Sequence, residues 1–409
     1  MDRCFIVVPP GFEEDAEREL REIWPDLLDS AARPHAEALP EIRRERGGLE
    51  FETDLFTAVQ LNFFLKSASR VLYRLAEFRA RDFPKLHERL RRLDVKAWVG
   101  EGPVRVEAAA AKSRLGHEKR VVETALKAWG LREDPAAEAG LYLRLDNDLC
   151  TVSLDTTGEH LHRRGVSRLR GEAPLRETLA AFCLGRMIGD TPAADVAKVD
   201  LIDPMCGSGT FLSEAMTLWS GNFRRSYAFQ SYRRLPKLFR QENFAANYRL
   251  TTLPPFRFLH GRDVDAGMVA ISASNLERAR ALLPASQADL LSLDLGVEDL
   301  YAAAAPADLP GDERWVICNP PYGERLKAPP VEDLHQALLR RWKPRRLGLL
   351  IPEHQARVLL KRSGKGLIAD AAVKNGGIDC RFLVWDLSGN EIRGTPSAGE
   401  IDPTQNNNN

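Results

Sequence analysis

The chain has 409 residues, with 58 Lys and Arg against 58 Asp and Glu, a formal net charge of zero, 44% hydrophobic and 28% charged residues. That length predicts more than one ordinary domain, and the composition is that of a soluble globular protein, without collagen-like or coiled-coil bias. A neutral total supplies no global field to draw in a polyanion, so affinity for nucleic acid would have to come from local clusters.

In chain order, the opening run Phe5-Ile6-Val7-Val8 is far too short for a signal-peptide core or a membrane span. No other long apolar stretch follows, so a cytoplasmic protein without membrane contact is expected. The cysteines, Cys4, Cys150, Cys183, Cys206, Cys318 and Cys380, are scattered with no CxxC pair. This argues against a disulfide framework, a structural zinc site or any other metal.

The first half reads as α+β. Residues 4–8 form a strand, and Pro9-Pro10-Gly11 turns it into a helix with Glu13, Glu14 and Asp15 in its first turn, where acids suit the dipole. Residues 104–110 read as another strand. A helix follows from Glu118, because Val121, Val122, Ala125, Leu126 and Trp129 recur at helical spacing. Residues 141–145 and 149–154 then flank Asp146-Asn147-Asp148, which reads as a hairpin turn.

After Gly171 the rhythm changes to strand–loop–helix units. Short apolar runs at 199–202, 256–260, 289–293, 315–318 and 347–351 predict a parallel sheet with helices on both faces. The last run, 380–387, follows Asn375-Gly376-Gly377 with no room for a helix and should be antiparallel. The polar low-complexity end should be disordered.

Asp203-Pro204-Met205-Cys206-Gly207-Ser208-Gly209-Thr210 follows the first of these strands and opens a helix. The glycines permit a tight turn and let the backbone approach a ligand at the carboxyl edge of the sheet. With no Lys after the last Gly, this is not a triphosphate P-loop, and the dinucleotide GxGxxG spacing is absent. Asp263 and Asp265 end the next strand, where an acid can accept hydrogen bonds from ribose hydroxyls. Asp299 ends the following one and could meet an adenine amine, or simply cap a turn.

Residues 315–318 lead into Asn319-Pro320-Pro321-Tyr322. Two prolines after a buried strand fix the backbone and expose its carbonyls. The Asn319 side-chain oxygen and the Pro320 carbonyl can then accept both hydrogens of an exocyclic NH2, aiming the nitrogen lone pair at an electrophilic methyl group. Tyr322 offers a flat face for a base that is flipped or unpaired. Direct transfer to an amine requires no covalent thiol, so neither Cys206 nor Cys318 need be a nucleophile.

These stretches, with Pro9-Pro10-Gly11-Phe12-Glu13-Glu14, the segment 155–165, the segment 171–178, Asn319 to Leu326 and Lys374-Asn375-Gly376-Gly377, resemble the THUMP-containing RNA N-methyltransferases of the RlmL type. The resemblance runs over nearly the whole chain, although Cys318 stands where such proteins often carry Gly. It implies an α+β N-terminal region at 1–165, ferredoxin-like plus THUMP, that grips RNA. At 166–395 it implies an α/β class I methyltransferase domain with a Rossmann-like, seven-stranded, mostly parallel sheet, and at 396–409 a disordered tail. It further implies S-adenosylmethionine (SAM) as cofactor, held by Asp203, Pro204, Cys206, Gly207, Ser208, Gly209 and Thr210 with Asp263 and Asp299. The target base would lie on Asn319, Pro320, Pro321 and Tyr322. Methylation of a guanine exocyclic amine (N2) in large-subunit ribosomal RNA by a single methyltransferase module is the expected activity.

Basic clusters against the neutral total mark where RNA would sit. The first holds Lys112, Arg114, Lys119 and Arg120; the second holds Arg163 and Arg164 with Arg168 and Arg170. The third, 221–240, carries Arg224, Arg225, Arg233, Arg234, Lys237 and Arg240 without an acid, interleaved with Phe223, Tyr227, Phe229 and Tyr232. That is the expected pattern of a phosphate-binding, base-stacking surface, though the rings could instead pack a helix onto the sheet. A fourth cluster, Arg340, Arg341, Lys343, Arg345 and Arg346, reads as a solvated face. Rival readings are a transfer RNA guanine methyltransferase, a DNA adenine or cytosine amino-methyltransferase, and an RNA-binding assembly factor without activity. Oligomeric state is left open.

Overall fold

The computed structural model describes residues 2–29, 38–165, 169, 175–248, 255–283, 285–302, 313–322, 329–362 and 365–388. The expected tail at 396–409, Arg168, Arg170 and the stretch after Tyr322 lie outside the described residues. Two mixed seven-stranded sheets carry the fold.

The first sheet comprises β1 (Arg3–Val7), β2 (Arg43–Glu45), β3 (Gly48–Glu52), β4 (Arg70–Arg79), β5 (Arg105–Ala111), β6 (Gly140–Asp146) and β7 (Leu149–Asp155). They lie in the order β2-β3-β1-β4-β7-β6-β5. The expected hairpin joins β6 to β7, with Asn147 and Asp148 at positive φ, where these residue types are tolerated. The expected helix, Glu118–Trp129, ends on Gly130 in the left-handed conformation and crosses from β5 to its parallel neighbour β6.

A second helix here, Leu55–Phe64, is buried at every position. Asp54 caps it by accepting from the Thr57 amide. A helix without a polar face has to be covered all round. Part of that cover comes from far along the chain. Residues 222–248, in short 3-10 turns at Ala228–Ser231, Lys237–Arg240 and Phe244–Asn247, return to the first sheet. There Phe223, Tyr227, Phe229, Phe239, Phe244 and Tyr248 surround the Phe63 ring, with centroids 5.0–6.1 Å away. The Tyr232 hydroxyl donates to the carbonyls of Asp155 and Gly140, and the Ala228 amide donates to that of Thr157.

This corrects the reading of 221–240 as a base-stacking surface. Tyr227, Phe229 and Tyr232 are 4%, 0% and 3% exposed. The physical reason is that rings meeting other rings over a fully buried, mostly apolar helix gain both burial and edge-to-face contact, which a solvated position forgoes. Arg225 is buried too, its guanidinium donating to the carbonyls of Glu159, His160 and Arg163. The fourth basic cluster is likewise not all solvated. Arg341 pairs with Glu298 in a bidentate contact, and Arg346 lies over the Trp315 ring while donating to Met187, Ile188 and Thr191.

The second sheet comprises β8 (Asp200–Asp203), β9 (Phe258–Asp263), β10 (Ser292–Val297), β11 (Arg314–Cys318), β12 (Arg346–Pro352), β13 (Leu367–Asn375) and β14 (Ile378–Asp386). Their order is β10-β9-β8-β11-β12-β14-β13, and the strand expected to be antiparallel, β14, is antiparallel to both neighbours. β9 and β10 begin two or three residues later than their apolar runs and end three or four residues later, because the ladder continues through Arg262 and Asp263. Apolar periodicity under-reads a strand whose end is polar.

The two sheets share one extended core. Phe12 stacks on Phe182 at 3.9 Å, Arg186 pairs with Asp15 at 2.6 Å, and the buried Arg164 pairs with the fully buried Glu214 at 2.7 Å. These contacts tie the first sheet's body to helices Glu177–Ile188 and Thr210–Thr217.

Candidate active site

At the carboxyl edge of the second sheet, β8 ends at Asp203 and the chain turns through 204–209 into the helix Thr210–Thr217. Gly207 and Gly209 both have positive φ (51° and 77°), and a Cβ on Gly209 would come within 2.4 Å of Ser272 Oγ. Only glycine fits there. The loop is strapped to the neighbouring strand: the Cys206 amide donates to the Arg262 carbonyl at 2.8 Å, and the Gly207 amide to Asp263 Oδ2 at 2.9 Å. Asn275 reaches across to accept from the Leu169 amide and donate to the Ser208 carbonyl.

Asp203, Cys206 to Thr210 and Asp263 are thus brought together. Asp203 is buried with the Met205 amide as a hydrogen-bond donor, and burial, reinforced by the Asp263 charge, pushes its carboxyl up to about 8. Such a group gains most from an approaching cation. Asp265 instead caps the helix Ala266–Arg280 through the amides of Gly267 and Met268. Asp299 is exposed after β10 and accepts from the Tyr301 amide, so its carboxylate forms a turn cap. Burial pushes the Cys206 thiol up to about 12 and the Cys318 thiol well above its ordinary value, so both are neutral.

The register of β11 on β8, with Val316 opposite Ile202, carries Asn319 to the edge where Asp203 ends its strand. Asn319 Oδ1 is buried and has no hydrogen-bond partner among the described residues. A buried carbonyl oxygen left unpaired is costly, which points to a donor that arrives with a ligand. Pro320 is buried, Pro321 is exposed and Tyr322 is half-buried, its hydroxyl accepting from Asn375 Nδ2 at 2.5 Å.

The candidate RNA residues divide. Lys112, Arg114, Lys119 and Arg120 are exposed around the loop from β5 into the helix Glu118–Trp129, with Arg120 also lying over the Phe83 ring. Arg163 and Arg233 are exposed as well. Arg164 and Arg225 are closed off by protein partners and cannot reach a phosphate.

Two features escaped the reading of the sequence. Val264, 69% exposed between Asp263 and Asp265, puts apolar surface beside the glycine loop, and the exposed Val297 pairs with Asp263 on the next strand. An apolar residue between two acids at a strand end was the available signal. Asn375 was read only as part of a family stretch, and its contact with Tyr322 spans 53 positions. Among the described residues no group of His, Cys, Asp or Glu is placed to hold a metal, and no helix is long and apolar enough to cross a membrane.

A sheet in this strand order, with a glycine loop after its first strand and Asn-Pro-Pro-Tyr after its fourth, is a class I methyltransferase fold. Solved structures agree in fold. A possible methylase from Clostridium difficile superposes with a TM-score of 0.70 at 24% identity, covering 94% of this chain and 98% of that one. A protein provisionally named a methyltransferase, solved with SAH, gives 0.71 at 22%, with the same coverage. Residues 164–383 match the family model described as RMKL-like, methyltransferase domain. The chain belongs to that family. It is 28% identical over 94% of its length to a ribosomal RNA large subunit methyltransferase K/L of Methylococcus capsulatus, of which it covers 51%. It is 27% identical to a Synechocystis protein provisionally named an RNA methyltransferase, covering 94% of this chain and 96% of that one. The chain therefore spans about half the length of the K/L relatives it matches.

Proposed function

We propose that the protein transfers a methyl group from SAM to an exocyclic base amine in RNA, with guanine N2 of large-subunit ribosomal RNA as the target. The observation that carries this reading is the buried Asn319 oxygen beside the glycine loop, unpaired among the described residues. The donor set fits the cofactor: a backbone turn that admits only glycine, a buried Asp203 carboxyl suited to a cation, Asp263 for ribose hydroxyls and apolar Val264 for a purine face. When bound, SAM supplies an electrophilic methyl group on a sulfonium.

The chain's own part is to bind and orient. Asn319 Oδ1 and the Pro320 carbonyl would accept the two amine hydrogens, leaving the lone pair pointed away from the protein and toward the methyl donor. Tyr322 would stack the base. Neutral thiols at Cys206 and Cys318 suit a direct transfer without a covalent intermediate. The exposed cations Lys112, Arg114, Lys119, Arg120, Arg163 and Arg233 would contact phosphates. The assignment to large-subunit RNA rests on the names of the K/L relatives.

Replacing Asn319 by Ala should lower turnover on the order of a hundredfold while SAM affinity is kept, since one preorganised acceptor is lost. Wild-type turnover in Asn319→Ala would remove the catalytic role of this loop. Nucleoside mass spectrometry of ribosomal and transfer RNA from cells lacking the protein identifies the substrate, with loss of N2-methylguanosine in the large-subunit fraction as the expected result. A loss confined to transfer RNA would instead select that substrate.

A further inference from the structure

The turn between β13 and β14, Asn375-Gly376-Gly377-Ile378, stands at the carboxyl edge of the second sheet and reaches the loop after β11. Gly376 and Gly377 both have positive φ (58° and 88°), with open space around them, so the turn is a tight one whose tip faces outward. Its first residue does not point outward. Asn375 is half-buried, and its Nδ2 donates to the Tyr322 hydroxyl at 2.5 Å. From β14 the Cys380 thiol approaches the same oxygen at 3.7 Å. Burial and neighbouring thiols hold the Tyr322 hydroxyl neutral, so it can accept from Asn375.

Tyr322 follows two prolines, which fix the backbone before it but leave its χ1 and χ2 free. Among the described residues, the Cys380 thiol and packing against the core hold the ring as well. A hydrogen bond at the far end of a phenol fixes where that end of the ring lies, and with it χ1; the oxygen sits on the χ2 axis, so the tilt of the ring is left to the packing around it. We infer that Asn375 is a positioning residue for the target base: it holds the Tyr322 ring at the place where the base stacks. The inference rests on the proposed stacking role of Tyr322.

The test is a double-mutant cycle on the full-length protein, using tritiated SAM and total RNA from cells lacking the protein as methyl acceptor. Asn375→Ala should lower kcat/KM for RNA about tenfold, with SAM affinity within about twofold of the parent. In a Tyr322→Phe background, which has no hydroxyl to hold, the same substitution should cost less than about twofold. Asn375→Asp should recover most of the loss, because its carboxylate can accept the phenolic proton and hold the ring from the same side. Circular dichroism and SAM affinity report whether each variant is folded. Equal losses in the two backgrounds, or a loss of SAM affinity alongside, would show that Asn375 serves the hairpin and not the ring. Tyr322→Ala reads the stacking role separately: parent-like turnover there would remove that role, and the positioning inference with it.

Discussion

Residues 112–120 and 221–240 are both dense in arginine and lysine, and as sequence they look alike. In the fold they are opposites. The first is an exposed loop and helix start whose cations Lys112, Arg114, Lys119 and Arg120 all face solvent. The second is a clasp: its rings cover Phe63, its Arg225 is buried against backbone carbonyls, and its other cations, Arg224, Arg233, Arg234, Lys237 and Arg240, are left outside. The difference lies in a third segment. The helix Leu55–Phe64 is buried all round and mostly apolar, and such a helix creates a demand for cover that some other part of the chain must meet. Alternating charge and aromatic residues show that a stretch has two faces; they do not show which partner takes each face.

The comparison can be broken most directly by cutting the chain. A fragment beginning at Leu175 strips the clasp of its partner helix and exposes Phe229, Phe239, Phe244 and Tyr227 at once. Each large apolar side chain is worth about 1.5–3 kcal/mol of burial, so the total approaches the stability of a whole domain. The fragment should aggregate or remain unfolded by size exclusion and circular dichroism; a soluble, native-like monomer would mean that the clasp is dispensable. Within the intact chain, Phe63→Ala should cost about 3–5 kcal/mol in urea denaturation, the range for a core aromatic. A loss below about 1 kcal/mol would deny the rings their role.

Smaller effects separate the two basic stretches by kind. Arg225→Ala removes three charge-assisted contacts to carbonyls and should lower stability by about 2–3 kcal/mol. RNA affinity of the folded variant should stay at the parent value, and a selective loss of affinity would restore Arg225 to the RNA surface. Lys112→Ala and Lys119→Ala should do the reverse, leaving the denaturation midpoint in place. Each should make the slope of log affinity against log salt shallower by about 0.7–0.9. An unchanged slope in both variants would place the phosphates elsewhere.

Much of the second sheet was legible because its strands are buried on both faces and read as apolar runs between turn signals, and because glycine and proline spacing marks both edge loops. The hairpin at Asn147 was legible for the same local reason. What escaped depends on partners distant in sequence. Nothing near Arg164 announces Glu214, and nothing near Tyr322 announces Asn375. The helix Leu55–Phe64 gave no amphipathic period because it has no exposed side, so its requirement for cover was not drawn.

The clasp also sets a schedule for synthesis. Gln60 meets the Tyr248 hydroxyl across 188 positions, and Phe63 waits for rings on the same late segment. At about 5–20 residues per second, roughly 10–40 s separate the emergence of the helix from that of its cover. Throughout that interval the nascent chain carries a mostly apolar helix without its full cover. The N-terminal sheet, although translated first, has its helix covered only when the other half is well under way, and holdase chaperones that bind apolar segments have that window in which to act.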